Sequence, residues 1–248
     1  MAQWEALGQA SVLALVTDTG GSTPRLAGAT MGVTATAIAG TVGGGAFEQR
    51  VVETARALLA APERTAVVDV HLVHELGMCC GGRMVAVLTK YEATPRLWIY
   101  GAGHVGTALA EAAQAAGFGV VVVDGRPEWA DGARFSAGVE VVDADPEDHA
   151  RTTPPPPDDF VVVMTHSHPL DEALIRLLAA SPRRYLGLIG SRRKRAMFEK
   201  RLEMQGLSAE AFAQVRCPVG LSIEAETPAE IAVSITAELV ATRRGRAS

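Results

Sequence analysis

Cysteine is scarce: three residues in 248, two of them adjacent as Cys79-Cys80. That number does not make a disulfide framework, and the thiols are expected to be reduced, in a cytoplasmic protein. Aromatic residues make up only 5%, so the core must come from Ala, Val and Leu packing. No apolar run approaches the ~18 residues of a membrane helix. The short apolar run Ser11 to Val16 follows Glu5 rather than a basic stretch, which excludes a signal peptide from the expectation. Positive charge is not in excess either. The net charge of −5 argues against non-specific nucleic-acid binding. What is present, 48% hydrophobic residues, suffices for a globular core.

The stretch Leu97 to Asp124 carries the clearest pattern. An apolar run ends at Tyr100, Gly101, Gly103 and Gly106 follow at G-x-G-x-x-G spacing, and a helix-like segment covers Thr107 to Ala116. A second apolar run, Val120 to Val123, ends in Asp124, eighteen residues past the last glycine. In this order the parts match a dinucleotide-binding βαβ unit. Gly101 permits a tight turn, Gly103 lets backbone approach a pyrophosphate, and Gly106 lets helix and strand pack closely. The helix N-terminus offers N–H groups to an anion, and Asp124 is placed to accept from a ribose. The alternative is a Rossmann-like domain whose glycines serve packing only.

Other stretches suit anions too. Gly20 to Arg25 is a turn by composition, with Arg25 beside two hydroxyls. Gly43, Gly44 and Gly45 open a helix whose apolar residues run from Phe47 to Leu59, a geometry fit for an anion or a plain flexible turn. Between strand-like runs at Val67 to Val73 and Met84 to Leu88 lie His71, His74, Cys79 and Cys80. Adjacent cysteines chelate zinc poorly, so a soft-metal or sulfur-handling thiol competes here with an inert buried one. Composition shifts at Tyr91 to Pro95, which predicts domains over 1–93 and 94–248. After Asp124, Arg126 could pair with a phosphate. No crossover helix is expected before the strand Val139 to Val142. The prolines 154–157 predict that an extended linker over Arg151 to Asp159 replaces a further crossover helix. The apolar strand Phe160 to Met164 leads into His166, His168 and Asp171, where ligands of open α/β sheets collect. Tyr185 to Ile189 leads into Ser191, Arg192 and more cations at a helix start, which oppose the dipole and suggest a bound anion. Thr227, Pro228 and Glu230 read as a capping box opening a helix that packs Ile231, Ile235 and Leu239 on the sheet. Arg243 to Ser248 reads as a frayed tail.

GSTPR (21–25), GTVGGGAFE (40–48), CCGG (79–82), GAGHVG (101–106), THSHPLD (165–171), GLIGSRRKR (187–195) and PVGLSIEAETPAEIAVSITAEL (218–239) occur in this order. Together they resemble the XdhC/CoxI family of xanthine dehydrogenase accessory proteins, over nearly the whole chain. The resemblance implies an α/β protein: a smaller N-terminal α+β domain joined to a C-terminal Rossmann-like parallel sheet. It implies a chaperone of the molybdenum cofactor (molybdopterin) rather than an enzyme, one that protects the cofactor during sulfuration and passes it to a xanthine dehydrogenase-type molybdenum hydroxylase. A cysteine desulfurase is the further partner implied. The expected roles are phosphate binding by the glycine loops, Cys80 or Cys79 near molybdenum, and hydrogen bonds from His104, His166 and His168. The sequence departs from the family's usual GLDIGAxTP run, with Ser222 where aspartate is usual and Glu224 where glycine is usual. An NAD(P)-dependent oxidoreductase, using Asp124 for the ribose and His166 as proton donor, is the competing reading. Assembly is left open, with a homodimer as the expectation.

Overall fold

A computed structural model describes residue 4 and residues 9–72 and 82–245. The chain divides into two compact units, Met1–Thr94 and Pro95–Ser248. The first holds β1 (Ser11–Gly20), β2 (Thr30–Val33), β3 (Ile38–Gly40), α1 (Gly45–Ala60), β4 (Thr65–His71) and β5 (Arg83–Tyr91). Its strands form an antiparallel sheet in the order β3-β2-β1-β5-β4. Alternation along β1 puts Val12, Ala14 and Val16 on one face, where they pack with Phe47, Val51, Ala55 and Leu58 of α1. The expected end of β1 at Val16 falls short. As the central strand it continues to Gly20 through a bulge between Val16 and Asp18.

The second unit holds β6 (Arg96–Tyr100), α2 (His104–Ala115), β7 (Gly119–Asp124), β8 (Glu140–Asp143), α3 (Pro146–Thr152) and β9 (Phe160–Val163). It continues through α4 (His168–Leu178), β10 (Tyr185–Leu188), α5 (Arg192–Met204), α6 (Ala209–Ala213), β11 (Val215–Arg216) and α7 (Pro228–Arg243). The six strands are parallel in the order β11-β10-β9-β6-β7-β8, a Rossmann-like sheet. Leu97, Ile99, Val120 and Val122 pack under α2 and α7. The alternate residues Trp98, Tyr100, Val121 and Val163 pack under α4 and α5. Strands buried on both faces explain the uninterrupted apolar runs. Strand order reverses between β6 and β9, so their loops open a crevice at the carboxyl edge.

Two expectations need correction. A crossover helix does precede β9: Asp145 caps α3 by accepting from the N–H groups of Glu147 (2.9 Å) and Asp148 (3.0 Å), with Pro146 in its first turn. The prolines from 154 onward follow this helix rather than replace it. Arg243 is no frayed residue, since it closes α7, stacks over Phe118 and donates to the Ala116 carbonyl at 3.0 Å. Residues 246–248 lie outside the described residues. The capping box at Thr227 and Glu230 forms as expected.

Candidate functional site

The three fingerprint glycines differ in what they allow. A Cβ on Gly101, whose φ is +119°, would lie 2.4 Å from the Met164 carbonyl oxygen, and one on Gly106 would lie 2.0 Å from that of Gly101. Both positions are closed by backbone. A Cβ on Gly103 would meet nothing within 4 Å. Gly103 is also the N-cap of α2, and no side chain caps that helix start. The orphan N–H groups of the first turn therefore have no side-chain acceptor, and the positive end of the dipole lies at this helix start. His104 meets Trp129 edge-on at 5.3 Å, and the guanidinium groups of Arg126 and Arg134 stack over Trp129 at 5.0 and 4.5 Å. Arg134 is tied down by the carbonyls of Ala102 (3.0 Å) and Trp129 (2.8 Å). Sequence reasoning missed Trp129 and Arg134, which lie in a connection without periodicity, Arg134 at the end of a 3-10 turn over Gly132–Arg134.

Asp124 borders a cavity, but its carboxylate oxygens are already taken. It is 3% exposed, and its Oδ2 accepts from the Ala102 N–H (2.8 Å) and Arg126 Nη2 (2.7 Å). Its Oδ1 accepts from the Arg126 N–H (3.1 Å) and Nε (2.9 Å). Burial pushes this carboxyl up, but the guanidinium and the two N–H groups outweigh it and hold the group below the usual value. A ribose hydroxyl could bond it only by displacing Arg126. The expected ribose acceptor is instead the clamp that holds the fingerprint turn to the end of β7.

The histidine loop and the cationic helix meet through Asp171, which is 1% exposed. It accepts from Lys194 Nζ at 2.6 Å, from the Thr165 hydroxyl at 2.7 Å and from the Thr165 N–H at 3.0 Å. The anion inferred from the cations at the start of α5 is thus, for Lys194, the chain's own carboxylate. Asp171 separates from the histidines it was grouped with. His166 and His168 are exposed, and His166 lines a cavity of about 110 Å³ together with Asp124, Arg126, Asp145 and Thr165. Ser191 caps α5 by accepting from the Lys194 N–H at 3.2 Å. Arg192 is exposed beside a larger cavity.

In the first unit Gly43, Gly44 and Gly45 have φ of 137°, 73° and 61°, which only glycine adopts readily. The anion in this loop is again internal. Glu48 Oε2 accepts from the Thr41 hydroxyl and from the N–H groups of Val42 (3.1 Å) and Gly44 (3.2 Å). The Thr41 hydroxyl and these N–H groups hold the Glu48 carboxyl below its usual value, against burial. The sequence places Glu48 in the first turn of the helix but does not reveal it as the loop's partner. The turn from Gly20 to Arg25 packs here, since a Cβ on Gly43 would lie 2.9 Å from Pro24 Cγ and one on Gly82 2.5 Å from the Ser22 carbonyl oxygen. Cys79 and Cys80 lie outside the described residues. Among the described residues no group of His, Cys, Asp and Glu side chains could hold a metal ion.

A family model described as the XdhC Rossmann domain matches residues 97–239, and one described as the XdhC and CoxI family matches residues 4–71. The chain belongs to the XdhC and CoxI family. The first match spans the whole carboxyl-edge site, from the fingerprint through the histidine loop to α7. The uncharacterized protein YqeB of Escherichia coli (strain K12) is 33% identical over 249 residues, covering 92% of this chain and 42% of that protein. A probable subunit of xanthine dehydrogenase from Bacillus subtilis (strain 168) is 36% identical over 159 residues, covering 63% of this chain and 46% of that protein. The chain therefore spans less than half the length of these curated relatives. A crystal structure described as a xanthine dehydrogenase from Bacillus halodurans aligns with a TM-score of 0.55 and 22% identity, over 99% of this chain and 96% of that one. At that identity the likeness speaks for the fold alone. No helix among the described residues is long and apolar enough to cross a membrane.

Proposed function

We propose that this XdhC and CoxI family chain is an accessory protein of a xanthine dehydrogenase-type molybdenum hydroxylase, and that it binds the molybdenum cofactor and hands it on. The observation that carries the binding step is the start of α2. Its N–H groups are uncapped, Gly103 leaves space above them, and His104, Arg126 and Arg134 surround the opening. Molybdopterin ends in a phosphate, and an open helix N-terminus flanked by cations suits a dianion. Family membership and the name of the Bacillus subtilis relative support the hydroxylase as partner. A cysteine desulfurase is the second partner in this reading, as the source of sulfur during cofactor sulfuration. No covalent turnover is needed, only protected binding and release.

The competing nicotinamide reading loses its main support, because Asp124 is saturated by Arg126 and the Ala102 N–H. Mass and fluorescence measurements on the small molecule released by mild denaturation test the choice. Oxidised pterin in near-stoichiometric amount is the expected result. A nicotinamide dinucleotide in its place, or a wild-type protein that takes up neither molybdenum nor pterin when supplied with cofactor, refutes the chaperone reading.

A further inference from the structure

Beyond the carboxyl ends of β10 and β11 lies a cavity of about 430 Å³, walled by Ile189, Val219, Leu221 and Ile231 and edged by Arg192 and Glu224. That volume falls in the range of small-molecule sites, about 300–1,000 Å³. The loop that walls it is held in place. The Gly220 N–H donates to Glu238 Oε2 at 2.7 Å, and the Ser234 hydroxyl donates to the Leu221 carbonyl at 2.6 Å. Glu238 is itself anchored by the Tyr185 hydroxyl and by Arg216 at 3.0 Å. The wall is thus pre-formed rather than assembled on binding.

Glu224 is the exception within this ordered wall. It is the one non-glycine residue among those described with a left-handed backbone, at φ 56°. That conformation costs any residue with an ordinary side chain. Among the described residues, no hydrogen bond or ion pair engages its carboxylate to offset the cost. Backbone held in a sparsely populated region at a cavity points to a role for the side chain there. An ionised carboxylate only accepts, and this one shares the cavity with apolar side chains, with Arg192 and with Ser222 and Ser234. It fits a flat heterocycle that presents two adjacent N–H donors and buries its faces against the aliphatic walls.

We propose that this cavity seats the ring of a pterin, with the Glu224 carboxylate accepting from the 2-amino group and the neighbouring ring N–H. The inference rests on the cofactor-binding reading above and names the part of the molecule that reads the ring. Geometry along the sheet edge agrees. β10 lies two strands from β6, about 10 Å at the usual strand spacing. One ligand can then set its phosphate at α2 and its ring in the cavity.

The test uses the full chain, wild type and Glu224→Gly, titrated by fluorescence with neopterin monophosphate and with its 2-oxo lumazine counterpart. The lumazine replaces the amino donor by a carbonyl that faces the carboxylate. Wild type is expected to prefer the pterin probe by roughly tenfold or more, the scale of losing a charge-assisted hydrogen bond and leaving an acceptor unpaired. Glu224→Gly is expected to lose that preference without a drop in Tm, since glycine accepts the left-handed backbone. Equal affinity of wild type for both probes, or a preserved preference in Glu224→Gly, overturns the cavity assignment and leaves cofactor binding standing. Failure of wild type to bind either probe overturns both.

Discussion

Lys194→Met should unfold the Rossmann-like unit more easily than any surface change on the same helix. Lys194 and Asp171 are 8% and 1% exposed at the side chain and 2.6 Å apart. Removing one member of a buried pair costs about 3–5 kcal/mol, because the other charge is left without its partner. The structure grades the two single variants. In Lys194→Met, Asp171 keeps both Thr165 bonds. In Asp171→Ala, the ammonium keeps one hydrogen bond, to the Ile189 carbonyl at 2.9 Å, and the face of Phe198 at 5.3 Å. Asp171→Ala should therefore sit at the upper end of the range and Lys194→Met at the lower. At about 2–4 °C per kcal/mol for a unit of this size, the melting point should fall by about 6–20 °C. The double variant Asp171→Ala, Lys194→Met carries no buried charge and should recover part of the loss, so a double-mutant cycle with the two single variants gives a coupling above about 1 kcal/mol. Urea unfolding followed by tryptophan fluorescence is the assay, since Trp98 and Trp129 both lie in this unit. A loss below about 0.5 kcal/mol in both single variants, the size of an ordinary surface substitution, refutes the reasoning. The cations of α5 would then need an external anion after all.

Three further outcomes follow from single positions. Gly106→Ala should abolish or severely lower folding of the unit, because its Cβ would lie 2.0 Å from a backbone oxygen. Gly103→Ala should melt within about 0.5 kcal/mol of wild type yet retain less phosphate-bearing ligand; equal melting of the two variants would sink the distinction. His149, hydrogen-bonded to the Tyr100 hydroxyl at 3.1 Å, is held below its usual 6.5 by burial, partly countered by Glu140. Between the lowered value and 6.5 the unfolded chain binds more protons, so stability should fall as pH drops through 6.5 and level off below the folded value. Melting curves from about pH 7.5 to about pH 5 should show this slope in wild type and lose it in His149→Asn; an unchanged slope in the variant would assign it elsewhere.

The βαβ unit was legible because its requirements are local. Gly101 and Gly106 are forced by backbone contacts that any such turn makes, and β6 and β7 are apolar on both faces because helices cover both. The capping box of α7 is equally local. α3 was missed because the four prolines outweighed the stronger signal just before them, an Asp-Pro start followed by Glu147 and Asp148. The destinations of the carboxylates were not legible, for a different reason. Asp171 and Lys194 are 23 positions apart, and nothing in spacing tells whether a buried cation faces a ligand or a distant side chain. Asp124 could have been found. Arg126, two residues on, has a reach that suits a carboxylate at the strand end, and only the ribose expectation hid it.

Glu48, Asp124 and Asp171 each occupy a place that composition assigns to an external anion. Each does so with three or more hydrogen bonds from named groups. An incoming phosphate would have to displace a tethered carboxylate, whose effective concentration at its own donors exceeds that of any free ligand. At the start of α2 no carboxylate caps the helix: Gly103 is open, the first-turn N–H groups have no side-chain cap, and of the flanking guanidinium groups Arg134 is held by carbonyls and Arg126 by Asp124, both stacked on Trp129. The chain's own carboxylates thus direct ligand anions by exclusion. Three sites are satisfied internally during folding, and the one left open stands two strands from the cavity edged by the Glu224 carboxylate. A ligand with an anion at one end and hydrogen-bond donors at the other fits both places at once, whereas an anion alone would use only the first.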